Sequence, residues 1–320
     1  MSLITTNVEC AVSDLLAEKP VAIPTETVYG LAAIISSEKA IKAVFAMKQR
    51  PLNHPLIVHV APDWPINELV ENIPDYAYQL INEFWPGPLT LILPVKTGQI
   101  NPLITGGQTS VALRCPAHPM AQKLLEQLNI PVVAPSANPF GKISPTTALH
   151  VQQAFNEEQL IILDGGRCTV GIESTIIDAT DPVHYKILRH GLINENSIAL
   201  VISANHSKED SLIRAPGKLE SHYQPQKTLY YFDQFDSLSR FCEVYKDKVF
   251  VLANTRPESI QNEYFYPLAI TPEQVAFDLY YQLRKADSSN GDCIAIQLPP
   301  ETTEWQGIRE RILKAGMPYL

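Results

Sequence analysis

Nowhere does the chain carry an uninterrupted apolar run near the roughly 20 residues that a membrane helix requires. Met1 to Lys19 has acids early, at Glu9 and Asp14, and no long apolar core, so it does not read as a secretory leader. Cysteine is scarce. The five (Cys10, Cys115, Cys168, Cys242 and Cys293) are odd in number, far apart and without a C-x-x-C, which points away from disulfides and cysteine-based zinc sites. Small core residues in a reducing compartment are the simpler reading. There is no excess of basic charge: 25 Lys and Arg face 34 Asp and Glu, a net charge of −9, which argues against coating nucleic acid by bulk attraction. A local basic cleft stays open.

Several catalytic signatures are missing too. No G-x-G-x-x-G follows a strand, and neither H-E-x-x-H nor G-x-S-x-G occurs. Gly166 and Gly171 have the spacing of a phosphate-binding loop, but Ile172-Glu173 stands where Lys-Ser/Thr is needed. A nucleotide, if bound, is held by another device. With 45% hydrophobic and 18% charged residues the chain is a folded one. Its 320 residues exceed what one core usually serves, so two domains of a soluble, cytoplasmic protein are expected, with no membrane contact.

Proline is plentiful: 26 residues, about 8% against about 5% usually, many where strands give way to loops. Val21 to Ile23, Leu56 to Val60, Leu89 to Leu93, Val111 to Leu113, Val132 to Ala134, Ile161 to Leu163 and Thr175 to Ile177 read as strands. Helices are expected over Glu38 to Met47, Ile66 to Phe84 and Pro119 to Leu128. That alternation predicts an α/β fold with a mixed sheet. The rhythm loosens over residues 203–228, read as an interdomain linker, and restarts in a smaller α/β unit over 229–320. That unit has strands Leu229 to Phe232, Val249 to Leu252 and Cys293 to Ile296. Its helices are Phe235 to Tyr245, one opened by Thr271-Pro272-Glu273, and Thr303 to Leu313. Residues 1–202 form the first domain.

Four polar clusters lie at the ends of strands and helices. Pro24-Thr25-Glu26-Thr27 combines two hydroxyls and a carboxylate; a capping turn would use the same residues. Lys48-Gln49-Arg50-Pro51 closes a helix, where cations converge on phosphate or merely answer the helix dipole. His59 interrupts an apolar run, where a hydrogen-bonded core histidine is the commoner case. Ser136-Ala137-Asn138, followed by Ser144, offers anion donors or ordinary turn chemistry. Asp164-Gly165-Gly166 and Gly171-Ile172-Glu173-Ser174-Thr175 lead into another strand. Arg114 and Arg189 end strands, placed to clamp an anion or to form surface salt bridges. Glu26 and the histidines are almost the only candidate general bases. The set suits a site that binds anions and aligns reactants.

In this order the residues resemble the threonylcarbamoyl-adenylate synthase family, the YrdC-like proteins of tRNA modification. The stretches that carry the resemblance include PTETVYGLA (Pro24 to Ala32), KQRP with NHPLIVHV (Lys48 to Val60), FWPGPLTLIL (Phe84 to Leu93), VALRCPAHP (Val111 to Pro119), APSANPFGKISPT (Ala134 to Thr146), DGGRCTVGIESTIID (Asp164 to Asp178) and ILRHG (Ile187 to Gly191). RAPGKLESHYQP and the following unit look like the longer, two-domain branch. The resemblance implies a YrdC-like twisted mixed sheet with a smaller Rossmann-like domain. It implies a nucleotidyltransferase that makes threonylcarbamoyl-AMP and pyrophosphate from L-threonine, bicarbonate and ATP with Mg2+. The product would feed a transferase complex modifying adenosine 37 of tRNA.

Carried over by position, the resemblance assigns Thr27, His59, Arg114, Ala134 and Ser174 to threonine or its carbamate. It assigns Arg50, His54, Ser110, Ser136, Ser144, Arg189 and Tyr223 to ATP. Lys48 and Asn138 complete the K-x-R and S-x-N motifs and would orient the phosphates, and no protein-only metal site is implied. If Tyr223 reaches ATP, the segment from Arg214 to Pro225 is a lid. Departures from the family pattern are His190 after Arg189, His54, and Ile34-Ile35-Ser36 without an aspartate. Two other readings compete: an RNA-binding or ribosome-assembly protein with weak tRNA contact, and a carbamoyl-transfer relative acting on another amine.

Overall fold

The computed structural model describes residues 2–207, 211–217 and 222–319. Residues 208–210 and 218–221 of the expected linker therefore lie outside the described residues. Among those described, eleven strands form one mixed sheet. From one edge to the other they are Leu3–Thr5, Ile161–Leu163, Val21–Ile23, Gly30–Ile34, Val132–Val133, Ile57–His59, Ser110–Arg114, Leu89–Pro94, Thr175–Asp178, His184–Arg189 and Asn205–His206. A second sheet has five strands, all parallel: Phe265–Pro267, Val249–Ala253, Cys293–Gln297, Thr228–Phe232 and Met317–Pro318. The expected mixed α/β fold and Rossmann-like second unit are both present. No described helix is long and apolar enough to cross a membrane.

Alternation of side chains along the strands decides where the site can lie. Val58, Leu91, Leu113, Leu31 and Ile177 point to one face, where helices Glu38–Lys48 and Asp75–Phe84 cover them with Ile41, Phe45, Tyr76 and Leu80. The opposite face has two separate covers. Helices Val8–Leu16 and Pro119–Leu128 pack Leu15, Leu124 and Leu125 on Ile23, Ala32 and Val132. Further along, Ile213 and Ala215 of the linker lie on Ile57, Ile92, Ala112, Ile176 and Leu188. Between these covers a cleft reaches the sheet, and there His59 pairs with Arg114 in parallel register.

Ile66 to Phe84 is not one helix. A 3-10 turn, Ile66–Glu68, precedes helix Asp75–Phe84. Pro74 disfavours helical backbone at the residue before it and itself serves as N-cap of the helix that begins at Asp75. Thr303 to Leu313 likewise starts as a 3-10 turn, Thr303–Trp305, before helix Gln306–Ala315. Strand Gly30–Ile34 escaped pattern reading because all five residues are buried, leaving no polar alternation. Four of the five cysteines are buried, and Cys10 is exposed.

Candidate active site

The stretch of sheet around His59 and Arg114 is the floor of a cleft that draws in ten of the expected residues: Thr27, Lys48, Arg50, His59, Arg114, Ala134, Ser136, Asn138, Arg189 and Tyr223. Instead of sitting only at strand ends, the site spreads from them over one sheet face. Gly30 bridges to Ser136, and a Cβ there would stand 3.0 Å from that of Ala134, so the sequence keeps glycine where the two loops cross.

One group is built on Arg114. Its Nη1 donates to Thr27 Oγ1 at 2.9 Å, its Nε to the Gly87 carbonyl at 3.2 Å, and its Nη2 to Glu26 Oε1. The other oxygen of Glu26 accepts the Ala117 N–H at 3.0 Å. Both oxygens of Glu26 are thus occupied, which makes it the residue that aims Arg114 rather than a free general base. His59 is paired with Arg114 across the parallel strands and is fully buried. Burial, then the nearby guanidinium, lowers its pKa to about 3, so the ring is neutral, and its Nδ1 has no hydrogen-bond partner.

A second group surrounds the K-x-R and S-x-N motifs. Lys48 ends its helix with the ammonium inside, donating to the carbonyls of Ser136 and Asn138. Its backbone carbonyl accepts the Phe140 N–H at 2.8 Å. Burial drives the Lys48 pKa well below its usual value, with Arg50 adding to the effect. The Asn138 amide donates to the Pro139 and Lys142 carbonyls, leaving its buried Oδ1 unpaired. Arg50 donates through Nη2 to the Pro55 carbonyl at 2.9 Å and lies 5.3 Å from the Phe140 ring centre. Burial, then Arg189, brings its pKa down to about 10. Arg189 is held by Ser174, through Nε to the carbonyl and Nη2 to Oγ, both at 3.0 Å.

Four expected residues do not line this cleft. Ser174 stands behind Arg189 and also bonds Thr90 at 2.7 Å. Ser144 donates to Glu173 Oε1 from within the wall. His54 faces an adjoining chamber that it shares with Arg50, Phe140 and Arg214. Ser110 begins the strand that Arg114 ends, and it lines a separate recess with Gln108 and Ile213.

The roof comes from the linker. Arg214 is latched to the carbonyls of Asn53 (2.8 Å) and Gly106, and its own backbone pairs with the Gln108 amide. Gly217, at φ +87°, lies against Arg189 and Tyr223. Tyr223 is itself left-handed at φ 64°, fully buried, and its hydroxyl has no partner. His222 packs edge-on against it at 4.0 Å, and burial lowers that imidazole to about 3.

Sequence reasoning did not assign Glu173, His222, Phe140, Tyr280 or Arg311. Glu173 was visible as the carboxylate in Gly171-Ile172-Glu173-Ser174. Arg311 carried a sharper signal: it shares an i, i+3, i+4 apolar stripe with Ile308, Ile312 and Ala315, an unusual place for an arginine.

Comparison with known proteins fits this geometry. Residues 13–191 match the Sua5–YciO–YrdC family model, described as telomere recombination, and residues 192–316 match the threonylcarbamoyl-AMP synthase C-terminal domain. The threonylcarbamoyl-AMP synthase of Pyrococcus abyssi is 38% identical over 315 residues, covering 93% of this chain and 90% of the relative. The Bacillus subtilis protein of the same name is 34% identical over 308 residues, covering 92% and 89%. A crystal structure of P. abyssi Sua5 complexed with L-threonine superposes with a TM-score of 0.88 at 32% identity, covering 99% of this chain and 98% of that one. The chain belongs to the Sua5–YciO–YrdC family, in the branch that carries the threonylcarbamoyl-AMP synthase C-terminal domain.

Proposed function

We propose that this chain is an L-threonylcarbamoyladenylate synthase and, by reaction class, a nucleotidyltransferase. The supporting observation is the joining, in one roofed cleft, of an aimed arginine fork to a group of buried cations. Relatives of nearly equal length bear the synthase name, and one related structure holds L-threonine.

In this reading the threonine carboxylate takes the Arg114 Nη donors that Glu26 and Thr27 leave free, the Nε being held by the Gly87 carbonyl, because a planar fork matches two oxygens. The threonine amine adds to bicarbonate, water leaves, and a carbamate forms. A carbamate oxygen then attacks the α-phosphorus of ATP, and pyrophosphate departs. Neutral His59 can accept or donate a hydrogen bond without adding charge beside Arg114. Arg50 and Arg189 face the phosphates, while Lys48 holds the loop of Ser136 and Asn138 in place. The linker roof excludes water, which the labile carbamate requires.

The residues fit Mg2+ entering with ATP. The unpaired, buried Oδ1 of Asn138 is a hard oxygen ligand, and Ser136 Oγ lies in the same loop. Among the described residues no cluster of three His, Cys, Asp or Glu could hold a metal alone, so phosphate oxygens would complete its shell. Bound there, the ion would neutralise charge on the phosphates. The mixed-anhydride product would be consumed by a tRNA threonylcarbamoyl transferase.

The test is pyrophosphate release with ATP, Mg2+, bicarbonate and L-threonine, each omitted in turn. Release that needs threonine and bicarbonate together is the expected result. Release with threonine dispensable would instead favour another acceptor amine. No release from folded protein, with salt-dependent binding of tRNA, would favour an RNA-binding role.

A further inference from the structure

The carboxyl-terminal unit brings an enclosed charge to the wall of the cleft. The Arg311 side chain is fully buried, and its Nε donates to Glu173 Oε2 at 3.1 Å. Its Nη2 meets the Glu173 carbonyl at 3.3 Å, and Nη1 donates to the His190 carbonyl. From the neighbouring helix Pro272–Asp287, the Tyr280 hydroxyl donates to the same Oε2 at 2.8 Å. Glu173 itself lines the cleft. Burial works against its ionisation, yet Arg311 and Arg189, with the Ser144 hydrogen bond, hold its pKa below the usual range. The Arg311 guanidinium also lies 5.4 Å from the ring centre of Tyr223, whose ring stacks with Tyr280 at 5.8 Å.

We propose that Arg311 is a positioning residue for the nucleotide half of the site: it anchors the Glu173 carboxylate, so that Arg50 and Arg189 stay available to an incoming triphosphate. The inference rests on reading the cleft as an ATP site. Buried ion pairs are poor stabilisers compared with apolar packing, so fold stability alone gives little reason for an arginine here. Loss of Arg311 alone would leave a buried carboxylate facing the same region as the phosphates. That carboxylate would repel them and draw the remaining cations to itself. Loss of both charges together would remove the repulsion. Tyr223 adds a second route, since its ring lies against both Arg311 and Tyr280.

The experiment uses the full chain and four forms: wild type, Arg311→Met, Glu173→Gln with Arg311→Met, and Tyr280→Phe. Pyrophosphate release is measured with ATP and threonine varied separately, alongside equilibrium binding of MgATP and thermal unfolding. Arg311→Met is expected to raise KM for ATP and weaken MgATP binding at least about 30-fold, with threonine KM changed less than about threefold. The double variant is expected to recover at least about tenfold of that loss, and Tyr280→Phe to cost about three- to tenfold. A folded Arg311→Met with ATP KM and MgATP binding near wild type would overturn the proposal. Equal loss for both substrates with no recovery in the double variant would overturn it too. Should Arg311→Met fail to fold, Tyr280→Phe decides by the same split between substrates. Wild type that binds MgATP but releases no pyrophosphate would sink the synthase reading, while the binding arm still judges Arg311.

Discussion

The ammonium of Lys48 reaches the backbone carbonyl of Asn138 at 2.6 Å and that of Ser136 beside it. Two motifs separated by some 90 residues of chain are thereby one mechanical unit. The lysine of K-x-R fixes the backbone of S-x-N, and the arginine beside it faces the cleft.

Lys48→Met would leave the buried Asn138 carbonyl without a donor, costing about 1–3 kcal/mol, and the Ser136 carbonyl with only the Asn138 N–H. The loop would lose the register that presents Ser136 and Asn138. Turnover, as kcat/KM for ATP, should fall at least about 100-fold with a lower Tm. Activity within threefold of wild type would mean the tether does not set the loop.

Glu26→Gln tests whether that carboxylate aims Arg114 or accepts a proton. An aiming role predicts a threonine KM raised about tenfold, with ATP KM unchanged and the pH profile keeping its shape, since one charge-assisted bond is lost. A collapse of kcat together with loss of an acid limb would instead mark Glu26 as the base.

How much of the molecule is legible in its sequence depends on what a residue touches. Strand ends and helix faces with clear alternation, such as Phe235–Tyr245, were visible because half of each element meets water. Wholly buried Gly30–Ile34 had no such contrast. Among site residues, Arg114 and Arg189 declared themselves by ending apolar strands. The inward turn of Lys48 could not be read, because its partners are carbonyls some 90 positions away that every residue possesses. The pairing of Glu173 with Arg311 was hidden in the same way, because it spans two units and 138 positions.

Gly217→Ala places a Cβ 2.8 Å from the Tyr223 hydroxyl and 2.9 Å from Arg189 Cδ, at a φ of +87° that side chains rarely adopt. Backbone strain of about 1–3 kcal/mol results, unless the roof shifts. Either way the fit over Arg189 changes, so ATP KM should rise about three- to tenfold with threonine KM steady. An unchanged ATP KM would show that the roof does not press on the nucleotide half.

Buried histidines predict acid sensitivity. His59 and His222 both sit at about 3 in the folded chain, against 6.5 when exposed. The unfolded chain therefore binds more protons, and folding stability falls as pH drops from about 6.5 toward 3. Each contributes up to about 1.4 kcal/mol per pH unit in that window. Denaturant titrations at pH 7.0 and 5.5 should show the loss, reduced in His222→Asn. Identical pH slopes in that variant and wild type would contradict the burial of a neutral ring.

In the proposed reaction one cleft joins a captured carbon to threonine and then to the α-phosphate of ATP. The most direct test supplies isotopically labelled bicarbonate with L-threonine and MgATP and weighs the nucleotide product by mass spectrometry. An AMP adduct that contains threonine and is heavier by the label, formed together with pyrophosphate, is the expected product. A nucleotide product without the label, or ADP and phosphate in its place, would contradict the proposed reaction.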